Sequence, residues 1–341
     1  AYTTINKSTA HFNTKLYTGN GGTNALTGVG FQPDWTWIKN RTSGQDHQVY
    51  DAVRTATKTI NSNSSNAEST VVNGLTAFGT DGFTLGDHNE SNDSGDSYAS
   101  WNWKAGTTFS NNAGANGADI ASSGSINTTA GFSIIKATSD SAADKNIAHG
   151  LGVVPDVIFS KNLDSGYNWD IYFKALGYNS ALRLNSNNQA NLTGRWGSSA
   201  FTANTFQAKH NYSCSNGDEY VYYCFAEKKG YSKFGTYIGN GNTDGAFIYT
   251  GFKPAFVMTK RTDSTSNWFM FDDKRDGYNP KNDRLIADTA DAEADPGGFD
   301  ILSNGFKLRF TSGNANGSGG SYIYMAFGQS LVGSNNVPAT A

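Results

Sequence analysis

The sequence predicts an all-β protein built of three tandem antiparallel β-sandwich domains, jelly-roll-like in their winding. Three observations predict it. The first is composition: 39 Gly, 17 Tyr, 21 Phe and 7 Trp stand beside only 16% charged residues, the balance of short strands joined by tight turns rather than of a disordered chain. The second is period. Faces alternate every second residue in DWTWIK (34–39) and YVYYCF (220–225), and no stretch carries the 3.6 period of a long helix. The third is repetition: one pattern occurs three times at a spacing of about 100 residues, too long for a solenoid unit and right for a self-contained sandwich.

The repeat aligns without a gap through its first hairpin. GFQPDWTWIK, GVVPDVIFSK and GFKPAFVMTK place Pro33, Pro155 and Pro254 in one column and Lys39, Lys161 and Lys260 in another. Eight residues beyond each Lys, His47 aligns with Trp169 and Trp268. Further along, DGFTL, NTFQA and NGFKL align Phe83, Phe206 and Phe306, and the closing YASWNW, YVYYCF and YIYMAF end on Trp103, Phe225 and Phe327. The repeated Gly-Phe-X-Pro opens the first strand, where Pro is acceptable as first residue or on an edge. FVMTKRTDSTSNWFMFDD reads as strand, turn, strand. The resulting division is repeat one over 1–104, repeat two over 131–229 and repeat three over 230–328. The Gly/Ser/Asn-rich tract 105–130 reads as a flexible linker, which would let repeat one orient apart from a coupled pair two and three. Residues 329–341, polar and Pro-containing, read as an extended arm.

Charge and targeting signals exclude several functions. The net charge of −3 gives no field for nucleic acid or anionic lipid, and no apolar run approaches the ~18–20 residues of a membrane helix. The opening AYTTINKSTAHFNTK has no apolar h-region, so no signal peptide is expected in it. Cys214 and Cys224 are expected as free, partly buried thiols, with a cross-hairpin disulfide as the alternative. No cofactor is implied.

Candidate chemistry is sparse. The five His form no metal-ligand pair, and a column that accepts His47, Trp169 or Trp268 reads as a packing position. DHNESNDSGD (87–96) has the oxygen donors of a calcium loop but neither Gly at position six nor Glu at position twelve, so an exposed hairpin loop is the preferred reading. The carboxylates of DTADAEAD (288–295) do not recur in the other copies; a glycosidase would need two such acids in register, and no catalytic or metal site is expected. The turn glycines of TGNGG and IGNGN are followed by no helix that would hold a phosphate. The repeated lysines are expected on the solvent face, or paired to a local Asp such as Asp51 or Asp272. Trp101, Trp103, Trp196 and Trp268 are candidates to stack on sugar rings, although alternating positions in a sandwich mostly face the core.

The run GFQPDWTWIKNRT…VYDAVR…DGFTLG…YASWNWKAG, repeated as GFKPAFVMTKRTDSTSNWFMFDDKRD…SNGFKLR…YIYMAFG, resembles the repeat of virion structural proteins of marine tailed bacteriophages, tail-fibre-like or particle-surface components. The resemblance covers nearly the whole chain outside 105–130 and the tail. Repeat two departs from it, with HGLGVVPD for GFxP and FKAL where the others carry a basic residue. What the resemblance implies is a non-enzymatic structural protein of the virion surface, a head decoration or a fibre or tail component, in multiple copies and contacting other capsid or tail proteins. The alternative is a carbohydrate-binding adhesin for a host surface glycan, and a more distant one a glycan depolymerase. Neither nucleic acid nor membrane insertion is expected of it.

Overall fold

The structure, a computed structural model, describes residues 5–330 except 191, 192, 198, 282 and 296. Repeat one holds β1 (Phe12–Thr18), β2 (Asn24–Leu26), β3 (Trp35–Asn40), β4 (Gln48–Asp51), β5 (Lys58–Thr59), β6 (Ser69–Thr70), β7 (Leu75–Gly79), β8 (Gly82–Leu85) and β9 (Ser97–Trp103). Next come β10 (Thr107–Asn111), β11 (Ser122–Asn127), β12 (Phe132–Thr138), β13 (Lys145–Ala148), β14 (Val157–Asn162), β15 (Asp170–Phe173), β16 (Leu182–Arg183), β17 (Thr205–Ala208) and β18 (Glu219–Phe225). Repeat three holds β19 (Ser232–Ile238), β20 (Phe247–Tyr249), β21 (Phe252–Arg261), β22 (Phe269–Asp272), β23 (Leu285–Ile286), β24 (Gly298–Leu302), β25 (Gly305–Arg309) and β26 (Ser321–Ser330). The all-β expectation holds.

Each repeat forms a large and a small antiparallel sheet. The large sheets run β1-β9-β3-β4, β10-β11-β12-β18-β14-β15-β16 and β19-β26-β21-β22-β23; the small ones run β2-β8-β7, β13-β17 and β20-β25-β24. In every copy the first strand lies beside the last and the second beside the next-to-last, the winding of a jelly roll. Between the two sheets sits a local apolar cluster. Phe83, Phe206 and Phe306 each anchor one, beside Leu85, Ile147 and Phe299 respectively.

The other face of the large sheets is not solvated. All six residues of β3 and all six of β14 are buried. Thr36, Ile38 and Asn40 face inward between the two sheets of repeat one. The alternate residues Trp35 and Trp37 enter a fourth cluster, larger than any of the local ones, to which all three repeats contribute. Phe12, Trp35, Trp101 and Trp103 meet Phe132, Phe159, Trp169 and Phe225 and then Phe256, Met258, Trp268 and Phe327 there. The closing aromatics converge, with the Phe327 ring 5.6 Å from Trp103 and 5.7 Å from Phe225. The chain is thus a covalent trimer of repeats around a shared core.

Two expectations fail here. Residues 105–130 are not a free linker: β10 and β11 extend the large sheet of repeat two, each residue of 107–111 pairing with one of 122–126. Phe109, Ile120 and Ile126, three large apolar residues in a tract of small ones, pack on the local cluster of repeat two, and Asn127 Nδ2 donates to Lys104 O at 3.0 Å. Repeat one therefore has no separate orientation. Gly-Phe-X-Pro does open β21, at Phe252, but Pro254 is neither its first residue nor on an edge. It sits inside β21, where the register shifts between Pro254 and Phe256, and a bulge is where a central strand accepts a proline. Pro33 and Pro155 do precede β3 and β14. The expected arm 329–341 begins within β26; residues 331–341 lie outside the described residues.

Candidate functional site

The repeated signature residues assemble at the three seams between repeats, and each seam is built the same way. Lys39, Lys161 and Lys260 follow the centre-facing residues of their strands and are buried to 0% exposure, which overturns the expected solvent-facing position. Burial pulls their ammonium pKa values down, to about 8 for Lys39, about 7 for Lys161 and about 8 for Lys260. Their partners are carbonyls and not Asp51 or Asp272. Each Nζ donates to the carbonyl of the next residue, Asn40, Asn162 or Arg261, at 2.7–3.0 Å. Each also crosses the seam, to Ala290 O at 3.1 Å, Ser65 O at 3.2 Å and Asn187 O at 3.4 Å respectively. Repeat one reaches repeat three, two reaches one, and three reaches two, so the arrangement closes as a ring.

Other contacts repeat that cycle. The backbone N–H of Glu68, Ala190 and Glu293 donates to Leu163, Thr262 and Arg41 carbonyls at 2.8–3.0 Å. Trp169 Nε1 donates to Asn61 O and Trp268 Nε1 to Arg183 O, both at 2.8 Å. His47 fills the third place, with Nε2 2.9 Å from Ile286 O. Trp37 Nε1 donates to His47 Nδ1 at 2.8 Å, so the ring proton sits on Nε2 and the imidazole reproduces the indole N–H. Burial, then the nearby Lys39 charge, lowers the His47 pKa to about 3 and keeps it neutral. The packing reading of this column is therefore supplemented by a hydrogen bond that all three residues make.

Two seams carry a buried ion set. Arg54 Nε lies 2.5 Å from Asp51 Oδ2 and Nη1 3.2 Å from Glu68, and Tyr223 of repeat two donates its hydroxyl to Asp51 at 2.6 Å. Arg275 repeats this with Asp272 at 2.6 Å and Glu293 at 2.8 Å, and Trp101 of repeat one donates to Asp272 at 3.1 Å. Burial raises the Asp272 pKa, but the Arg275 charge and hydrogen bonds outweigh it and the net shift is downward. At the third seam the corresponding residues are Phe173, Leu176 and Ala190, and the position of Tyr223 and Trp101 is taken by Met325. The missing Arg of repeat two is thus matched by loss of the acid, of its second carboxylate and of the facing donor.

The remaining candidates are structural. Trp101, Trp103, Trp196 and Trp268 are at most 2% exposed, so none presents a ring to a sugar, and the glycan-platform reading of these residues is corrected. Cys214 and Cys224 are free, buried thiols. The segment 87–96 is not a simple exposed loop: Asn92 is buried and donates to Gly22 O, Gly86 O and Asn20 Oδ1 at 2.6–3.0 Å. Asn316 makes the equivalent clasp on Asn240, Asn242 and Phe310. In this clasp Gly19 is obligatory, since a Cβ there would lie 2.0 Å from Asp93 O. Within 288–295, Glu293 is committed to Arg41 and Arg275. Among the described residues no group of three or more His, Cys, Asp or Glu is placed to hold a metal, and no helix is long and apolar enough to cross a membrane.

Sequence reasoning missed one surface, the outer face of the small sheet of repeat three. Phe247 and Tyr249, on the edge strand β20, are 46% and 62% exposed. Across the sheet Phe247 pairs with Lys307 and Lys307 with Asp300; Tyr249 pairs with Gly305. Arg309 Nε lies 2.6 Å from Asp300 and Lys307 Nζ 2.5 Å from Asp244. A Cβ at Gly305 would lie 2.1 Å from Ile248 O and 2.9 Å from the Phe247 ring, and Gly82 of repeat one sits equally close to Leu26 O. Tyr249 borders an open cavity of about 340 Å³ that is also lined by Glu227, Lys229, Lys233 and Thr250. The same row reads Ala25, Thr84, Ala77 in repeat one and Asn146, Gln207 in repeat two. The comparison of repeats was the signal that would have found it, because the alignment on Phe83, Phe206 and Phe306 already sets these residues side by side.

No curated protein and no solved structure matches the chain. One family model does, over residues 7–330, a span that takes in all three repeats, the 105–130 strands and the shared core. On that match the chain belongs to the family described as a domain of unknown function, DUF7483.

Proposed function

We propose that the protein is a non-enzymatic structural component of a phage particle surface, a head decoration or a fibre or tail element. The observation that carries this reading is the ring of three equivalent seams around one core. A body with approximate threefold symmetry in a single chain suits a threefold or locally threefold position of a closed assembly, where a homotrimer would otherwise sit. Its seams are occupied by hydrogen bonds that serve cohesion, and the buried titratable groups at those seams face backbone carbonyls, one another or a neighbouring Tyr or Trp. The sequence resemblance to virion structural proteins supports the same assignment.

The test is localisation. Antibodies raised against the recombinant chain are applied to purified particles and their positions imaged. Regular decoration of the head, or labelling of the tail, agrees with the proposal. A chain found in infected cells but absent from purified particles overturns it.

A further inference from the structure

We infer that the outer face of the β20-β25-β24 sheet is a binding site for a neutral glycan chain. The repeats serve as internal controls. Of three equivalent sheet faces, repeat one presents Ala25, Thr84 and Ala77 and repeat two Asn146 and Gln207 beside a Lys209–Asp144 pair; among the described residues only the third exposes two aromatic rings there. Fold maintenance does not require those rings, since repeats one and two form the same strand pairing with Ala25 and Asn146 in place of Phe247.

The geometry suits a pyranose. Residues i and i+2 of one strand project on the same side about 7 Å apart, so Phe247 and Tyr249 form a short apolar stripe on which C–H faces of sugar rings can stack. The two rings stand 46% and 62% exposed, which leaves each with surface free for a ligand. Asp300–Arg309 and Asp244–Lys307 lie alongside; Arg309, Lys307 and Asp244 offer donors and an acceptor to hydroxyls, while buried Asp300 holds Arg309 in place. These groups are already paired, so the row carries no net charge, which selects a neutral chain over a polyanion. Size argues against a protein partner: the two exposed rings amount to on the order of 200 Å², against roughly 800 Å² that a stable partner covers on each side. The site stands independently of where the protein resides.

Affinity electrophoresis of the full chain through gels containing dextran, galactomannan, xylan or the polyanion alginate tests the inference. Retardation by at least one neutral polysaccharide is expected, weakened about tenfold or more in Phe247→Ala and Tyr249→Ala. Both side chains are exposed, so folding is not at risk, and Val72→Ala, at a position 74% exposed in repeat one, should bind as wild type. Three results would overturn the inference: no retardation by any neutral polysaccharide, retardation by alginate alone, or undiminished binding in both aromatic variants. Loss of self-association in those variants, without any glycan binding, would mark the face as a protein contact instead.

Discussion

His47 and Trp37 exchange sizes relative to their counterparts. Repeats two and three place Phe159 with Trp169 and Met258 with Trp268; repeat one places the larger ring at 37 and the smaller at 47, and the indole N–H of Trp37 then satisfies the imidazole. A core packed to crystalline density tolerates such swaps when volume and polar pairing are conserved together. Asp288 is a second departure. It accepts the Trp268 N–H at 2.8 Å, a task done by Asn63 for His47 and Asn185 for Trp169 at 3.0 Å. Burial raises the Asp288 pKa to about 6. A carboxyl with a raised folded pKa holds its proton in the native state between its unfolded value near 4 and about 6, so stability is lost as pH rises through that window. Asp288→Asn keeps the acceptor and removes the titration. We predict that urea unfolding finds the variant about 1–2 kcal/mol more stable than wild type at pH 7 and equal to it at pH 4; equal stability at both pH values would refute the burial argument.

Ion sets and apolar sets are interchangeable modules only when complete. Removing one member of a buried pair strands the other charge, whereas replacing the whole group by well-packed apolar residues is close to neutral. The chain contains both solutions at equivalent seams. Asp51→Asn, which leaves Arg54 buried beside Glu68 alone, is predicted to cost about 3–5 kcal/mol. Installing the third seam's set at the first, Asp51→Phe, Arg54→Leu, Glu68→Ala and Tyr223→Met together, is expected to return stability to within about 2 kcal/mol of wild type. Denaturant midpoints of the single and quadruple variants check this, and a quadruple variant no better than the single one would show that the two sets are not equivalent. The strands of 105–130 teach a related lesson. Their composition is that of a linker, and only three large apolar side chains anchor them, so composition pointed away from the pairing that the sheet edge of repeat two supplies.

Repetition, strand period and the signature columns were legible in the sequence because they are local. The large sheets' second buried face was not, since alternation in Trp35–Lys39 looks the same whether the far side meets water or another repeat. The lysines misled for the same reason: a Lys at the end of an apolar strand is ordinarily solvated, and only the neighbour's carbonyl, brought by tertiary closure, lets it be buried. Likewise Trp101 and Trp268 looked available to sugars until the shared core enclosed them, while Phe247 and Tyr249 stood unremarked in a three-residue strand. The central claim is that three repeats make one core rather than three sandwiches on a string. Scanning calorimetry of the full chain tests it most directly. A shared core predicts a single transition whose calorimetric and van't Hoff enthalpies agree; two or three separable transitions, each with the enthalpy expected of about 100 residues, would contradict it.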